Sequence, residues 1–183
     1  MIWTDEDWFR RPAPLAPYNL PDCKLLLPQT CLDLSLATFE DCRKLRQEAA
    51  CFWYGTRDQA GNGVVEALVV PAQSNRRGNY HVSAEAMGEV ASRTRPLGWK
   101  NLAQVHTHPG SNVEHSRYDD ENASSRRALS VVFPFYGNWG LSWPTGVGVH
   151  ECQDGYWHLL PAAEASMRVV ITATSTIELM DLR

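Results

Sequence analysis

Two histidines and an aspartate that have to meet constrain this chain more than any other feature. His106-Thr107-His108-Pro109-Gly110 is followed by Ser116 and Asp119. Side chains of an extended strand alternate between its faces, so His106 and His108 project to one side and Thr107 to the other. Pro109-Gly110 then turns the chain. Ser116 is placed to cap a helix whose first turn holds Asp119, a position where the helix dipole favours a carboxylate. The pattern therefore demands a strand end, a sharp turn and a helix start converging on one point. Five residue types at these spacings recur by chance on the order of once in a hundred thousand chains of this length. Two neutral imidazoles and a carboxylate suit zinc, with other divalent first-row ions possible. Three protein ligands leave a fourth position open, as hydrolytic sites do and structural sites do not. The competing reading is a His-rich surface loop that binds nothing.

Around this motif the chain reads as one α/β or α+β domain with a mixed sheet, residues 31–183, preceded by a Pro-rich arm, residues 1–30. Its 183 residues are 44% hydrophobic and 21% charged, which is enough to build a core. Pro12, Pro14, Pro17, Pro21 and Pro28 argue against a regular helix or a central strand in the arm. A helical spacing runs from Ser35 to about Gln47, and an alternating aromatic run from Glu48 to Tyr54 suits a strand. Gly61-Asn62-Gly63 marks a hairpin before the strand Val64–Val70. Ser83 caps a helix that Pro96 stops. Further expectations are a short strand from Leu102 to Val105, a helix from Asp119 to Arg127 and a buried strand from Leu129 to Phe133. A hairpin turns at Gln153-Asp154-Gly155, and the β-branched tail from Arg168 to Leu179 suits a last strand.

Charge and composition exclude several classes. The net charge of −4 gives no support for a nucleic-acid partner. Arg76-Arg77 and Arg126-Arg127 are small basic spots that read as solvated surface. No apolar run reaches the roughly 18 residues of a membrane span, and the acidic start at Asp5-Glu6-Asp7 is unlike a signal peptide. Five cysteines with no CxxC pair point to reduced thiols and a cytoplasmic setting. Seven tryptophans leave open whether some mark a contact surface, although core packing is the better reading for most.

His106-x-His108-Pro109 with Ser116-x-x-Asp119 resembles the signature of the JAMM (MPN-domain) metalloproteases. The resemblance spans about residues 35–160. It extends to Glu48-Ala49-Ala50-Cys51-Phe52-Trp53-Tyr54-Gly55, similar to the family's upstream glutamate context, and to Leu129–Gly137, which resembles the following strand of prokaryotic members. It implies a curved MPN-like sheet flanked by helices, one Zn²⁺ on His106, His108 and Asp119, Glu48 as general acid–base, and Ser116 as a hydrogen-bond donor to the oxyanion. General acid–base help typically adds about a hundred- to ten-thousand-fold, and one oxyanion donor about 3 kcal/mol. Glu66 is the rival base, its alternative being an outward-facing strand residue. Glu114 and His115 read as exposed loop residues. Asp120 either orients a ligand or sits at a solvated helix start, and His81, His150 and His158 have no metal spacing.

The resemblance also implies a reaction. Members that keep the ligands and the glutamate cleave the peptide or isopeptide bond after the C-terminal glycine of a ubiquitin-like protein. The small size and the lack of a Cys/His-rich insertion are more like prokaryotic members that deconjugate such modifiers or trim their precursors, some of them in antiphage systems with E1-like and E2-like partner enzymes. The modifier's tail would dock as an added strand, with Asn75–Val82 as the candidate contact. Two alternatives stay open: a hydrolase that frees an amino acid from a ubiquitin-like sulfur carrier, and an MPN scaffold that binds without cleaving.

Overall fold

The alternating aromatic run forms the middle of a nine-stranded mixed sheet. A computed structural model of the chain describes residues 12–123 and 125–183. Strand β2 (Ala50–Arg57) sends Cys51 and Trp53 into one buried cluster and Phe52 and Tyr54 into another. This period of two buries both faces, so β2 reads as nearly continuous apolar sequence. It pairs antiparallel with β3 (Gly63–Val70) on one side and with β6 (Lys100–Thr107) on the other. β6 in turn lies parallel to β7 (Leu129–Phe133), and β8 (Gly148–Gln153) and β9 (Tyr156–Leu159) complete that side as a hairpin. The architecture is the expected α+β class, a single domain.

The far side of β3 corrects two expectations. β1 (Leu25–Pro28) is a central strand, parallel to both β3 and β10 (Val169–Thr172), although it falls within the segment read as an irregular arm. The prolines that exclude such a strand stop at Pro21, leaving Leu25, Leu26 and Leu27 free to donate to neighbours, and Pro28 occupies only the last position. The chain's tail supplies two strands instead of one: β10, and β11 (Glu178–Asp181), which covers the remaining length of β3.

Helices lie against both faces. The helical spacing near residue 40 belongs to two helices, α1 (Gln29–Thr38) and α2 (Glu40–Lys44), divided at Phe39, whose buried ring packs 6.5 Å from Phe133. Within α1, Ser35 accepts a hydrogen bond from the Trp53 indole at 2.9 Å. A two-stranded ribbon, β4 (Ser74–Arg76) and β5 (Asn79–His81), precedes α3 (Ala84–Thr94) and stands apart from the main sheet. Ser83 caps α3 through Ala86 N as expected, and Val90 packs on Phe52 and Tyr54. After β6 come α4 (Arg117–Asn122) and β7, and α5 (Ala162–Arg168) leads into β10. α4 begins two residues earlier than expected and ends at Asn122, because Ser116 and Asp119 close a reciprocal capping box that sets its start.

Among the described tryptophans, Trp53 and Trp157 are buried, and Trp99, Trp139 and Trp143 lie partly buried against the core; Trp3 and Trp8 are outside the described residues. All five cysteines are free thiols. Among the described residues, no helix is long and apolar enough to cross a membrane.

Candidate metal centre

His106, His108 and Asp119 come together as a buried group that could hold a metal ion. β6 sits between β2 and β7 and carries His106 near its end, with His108 one residue past it. His106 is in register with Ala50 and Val132, and the His108 amide donates to Phe133 O at 2.8 Å just beyond the strand. The rings face each other at 5.1 Å between centroids. α4 brings Asp119 to them: its Oδ1 lies 3.4 Å from His106 Nε2, and its Oδ2 lies 3.3 Å from His108 Nε2.

Two readings bear on these separations. A charge-assisted hydrogen bond between imidazole and carboxylate closes to about 2.7–2.9 Å. Two ligands on a tetrahedral ion with bonds of about 2.0–2.1 Å stand about 3.3–3.4 Å apart. The spacing suits co-ligands of one ion as well as a long ion pair. His106 adds a second observation, because it is fully buried and neither ring nitrogen has a hydrogen-bond partner among the described residues. Such an orphaned polar side chain is costly unless something else meets it. His108 is oriented from behind, its Nδ1 lying 3.0 Å from the Asn112 carbonyl, which can only accept. That bond places a proton on Nδ1, so that in the neutral ring the Nε2 lone pair is the one towards Asp119, as metal-binding histidines are commonly arranged.

Charge and burial act differently on the two histidines. Burial pulls His106 down to about 4, so its ring is neutral, the form that binds metals. Burial alone would raise Asp119, but His106, the bond with His108 and the charge of His108 outweigh it and hold the carboxyl well below the usual range. For His108 burial acts downward, and its contacts with Asp119 and Glu48 carry it upward overall.

Glu48 approaches from β2. The ladder to β6 continues past Ala50, with Thr107 N donating to Ala49 O and Ala49 N to Thr107 Oγ1, each at 3.1 Å, so Glu48 arrives alongside His108. Its amide donates to Arg76 O at 2.8 Å. Burial lifts the carboxyl from 4.5 to about 7. Glu66 is elsewhere: it accepts from Thr56 and from the Trp99 indole, beside the bulge at Tyr54/Gly55. That bulge is five residues along β2 from Ala50, or about 16 Å.

Ser116 is tied to Asp119. Its hydroxyl accepts from Asp119 N at 3.2 Å and donates to Asp119 Oδ2 at 2.7 Å. The Ser116 amide also donates to Oδ2 at 2.7 Å. The serine therefore orients the carboxylate.

His115, read from sequence as an exposed loop residue, is fully buried. Its Nδ1 lies 3.0 Å from Asp120 Oδ1, its Nε2 lies 2.8 Å from Ser130 Oγ, and its amide donates to His150 Nε2 at 3.3 Å. Asp120 thus meets His115, and Ser130, opposite Gln104 in β7, ties this ring to the strand beside β6. Two histidines without metal spacing gave no signal for this cluster, since Ser130 and His150 reach it from separate strands. His158 is also buried, Glu114 and His81 are exposed.

Two grooves border the group. One, of about 350 Å³, is lined by Phe52, Tyr80, Val82, Met87, Gln104 and Tyr118, and the Tyr80 ring stands 5.4 Å from that of His106. The other, of about 650 Å³, is lined by Arg46, Arg77, Gly78, Pro109 and Tyr136. Tyr136 and its neighbour Phe135 have φ of 57° and 52°, and Arg46 has 54°. Left-handed backbone costs a non-glycine residue roughly 1–2 kcal/mol, here offset by Tyr136 N donating to His108 O at 2.7 Å and Phe135 N to Gly110 O at 3.1 Å.

Fold and site together define an α+β domain with a buried two-histidine, one-aspartate group at the end of a central strand. No protein-family model and no curated protein matches the sequence. Among solved structures, a protein of Desulfitobacterium hafniense is 15% identical with a TM-score of 0.60, over 81% of this chain and 93% of that one. A protein of Salinibacter ruber is 17% identical with a TM-score of 0.53, over 74% and 88%. At these identities the likeness establishes the fold.

Proposed function

We propose that this chain is a JAMM-like zinc metallopeptidase that hydrolyses the peptide or isopeptide bond after the C-terminal glycine of a ubiquitin-like protein. The observation that carries the reading is the meeting of His106, His108 and Asp119 at co-ligand spacing with a buried Glu48 alongside. Zinc held by these three residues would polarise a scissile carbonyl and bring the pKa of water near 7.

The protein's own groups supply the rest. Glu48, poised near neutrality, suits a carboxylate that takes a proton from the attacking water and then passes it to the departing amine. Ser116 keeps Asp119 aimed at the histidines. Because the Ser116 amide also holds Oδ2, the hydroxyl can swing toward the oxyanion without releasing the carboxylate. The β4–β5 ribbon, whose Tyr80 stands beside His106, offers the modifier's extended tail a strand partner along the aromatic groove.

Intact-mass analysis of a ubiquitin-like protein fused through its terminal glycine to a peptide tests this reading. Zinc-loaded wild type is expected to cut after that glycine, and Glu48→Gln to lose at least a hundredfold in rate. An uncut fusion, or undiminished cutting by Glu48→Gln, would overturn the peptidase or the assignment of its base, respectively.

A further inference from the structure

Three of the four non-glycine residues with left-handed backbone among those described gather at one place. Arg46 and Tyr136 line the larger groove, and Phe135 adjoins it. Such conformations persist only where surrounding structure enforces them, and they concentrate at binding and catalytic sites. Here they come from two separate segments, after α2 and after β7. Tyr136 is tied to the carbonyl of His108, and its hydroxyl donates to Arg77 O at 3.2 Å, so the strained turn and the tip of the β4–β5 ribbon are locked to each other beside a metal ligand.

Among the described residues, the charge in this groove is uncompensated. Its lining holds two arginines and no acid. Glu40 and Asp41, on the helix before Arg46, pair with Lys44 at 3.0 and 3.6 Å, and the buried Glu48, two residues after Arg46, faces His108. Neither the Arg46 nor the Arg77 guanidinium has a hydrogen-bond or ion-pair partner among the described residues, and both are exposed. The chain as a whole carries −4, so this cationic pocket runs against the general sign of the molecule. Arg77, read from sequence as part of a solvated basic spot, is half of a paired feature whose other half lies 31 positions earlier, at Arg46.

We propose that the Arg46–Arg77 groove is a specificity subsite that binds an acidic stretch of the target polypeptide, within about three residues of the scissile bond on the leaving-group side. The inference rests on the peptidase reading for its direction: with the modifier's tail along the aromatic groove, the groove that begins at Pro109 is left for the target. Two guanidinium forks match carboxylates in geometry as well as charge. An extended chain advances about 3.3–3.6 Å per residue, and Pro109, the residue after His108, lines the same groove as both arginines, so the first few residues of the target would run along it.

The test uses three fluorescein-labelled twelve-residue peptides that share a central Gly-Gly followed by Glu-Glu-Glu, Gln-Gln-Gln or Lys-Lys-Lys. Fluorescence anisotropy with the zinc-loaded Glu48→Gln protein reads binding, and wild type reads cutting. The Glu peptide is expected to bind at least tenfold more tightly than the Gln peptide, with an affinity that falls as salt rises. Arg46→Ala and Arg77→Ala should each cut the Glu preference about fivefold, and Arg46→Glu with Arg77→Glu should invert it toward the Lys peptide. Metal content and thermal unfolding of these surface variants serve as controls on folding. Equal affinities, no binding of the Glu peptide at about 1 mM, or a preference that survives charge reversal would overturn the subsite. Arginine-dependent binding without cutting would support the subsite and count against the peptidase. Cutting of all three peptides at one rate would do the opposite.

Discussion

His115 stacks on His150 with 3.9 Å between ring centroids and 16° between planes, directly behind the candidate metal ligands. The three ligands come from two elements, β6 and α4, and a helix as short as α4 has little stability of its own. His115 ties its first turn, through Asp120, to Ser130 in β7. Partners that orient metal ligands are typically worth ten- to a hundredfold in affinity. His115→Leu is therefore expected to weaken zinc binding by about that factor in competition with a chromophoric chelator, and Asp120→Asn, which keeps an acceptor, by only a few-fold. An unchanged affinity in His115→Leu would show that the tie does not act on the metal centre.

The ligands themselves give the plainest expectation. Wild type should hold one zinc per chain by elemental analysis, and His106→Ala or Asp119→Ala should fall to background. A ligand present at about a thousand times its dissociation constant stabilises the folded state by about 4 kcal/mol. Stripping the metal should accordingly lower the unfolding temperature of wild type and leave that of Asp119→Ala where it was. Equal shifts in both would place the bound ion elsewhere.

Glu48 sets a pH dependence in the metal-free protein. Its carboxyl ionises near 7 when folded and near 4.5 when exposed, so between these values the folded chain keeps a proton that the unfolded chain has released. A raised pKa contributes stability below the unfolded value and loses it as pH rises through the folded one. Glu48→Gln, which keeps the neutral form, should match wild type near pH 4 and exceed it near pH 8 by on the order of 2–3 kcal/mol. Denaturant titrations at both pH values check this. A difference that does not change with pH would remove the assigned shift.

Gly148 shows how closely the sheet supports the site. A Cβ there would meet Val113 O at 2.2 Å and His150 Cε1 at 3.0 Å. Val113 lies in the loop between His108 and Ser116, so Gly148→Ala has to push that loop outward. The expected cost is about 2–3 kcal/mol in unfolding free energy, accompanied by weaker zinc binding. A stability loss with full metal affinity would mean that the loop yields without moving Asp119.

The local sequence already determined the parts of this protein whose partners are near in the chain. His106 and His108 share a face because strands alternate, Asp119 is aimed by its capping box with Ser116, and Ser83 starts α3 as its hydroxyl requires. Glu48 stood out only through its Glu-to-Gly context, and strand pairing decides which of the two glutamates lies beside His108, because β2 runs beside β6 with Glu48 at one end and the Glu66 neighbourhood at the other. Other features had no local signal at all. β1 is a strand because two parallel neighbours, one drawn from beyond residue 168, complete its hydrogen bonds. His115 is buried because Ser130 and His150 enclose it from different strands, and Arg46 and Arg77 line one groove because Glu48 N donates to Arg76 O and brings the segment after α2 beside the ribbon. Short-range periodicity and capping act within a few residues, whereas burial and charge pairing depend on which distant segments the sheet sets side by side, and only the tertiary structure decided that.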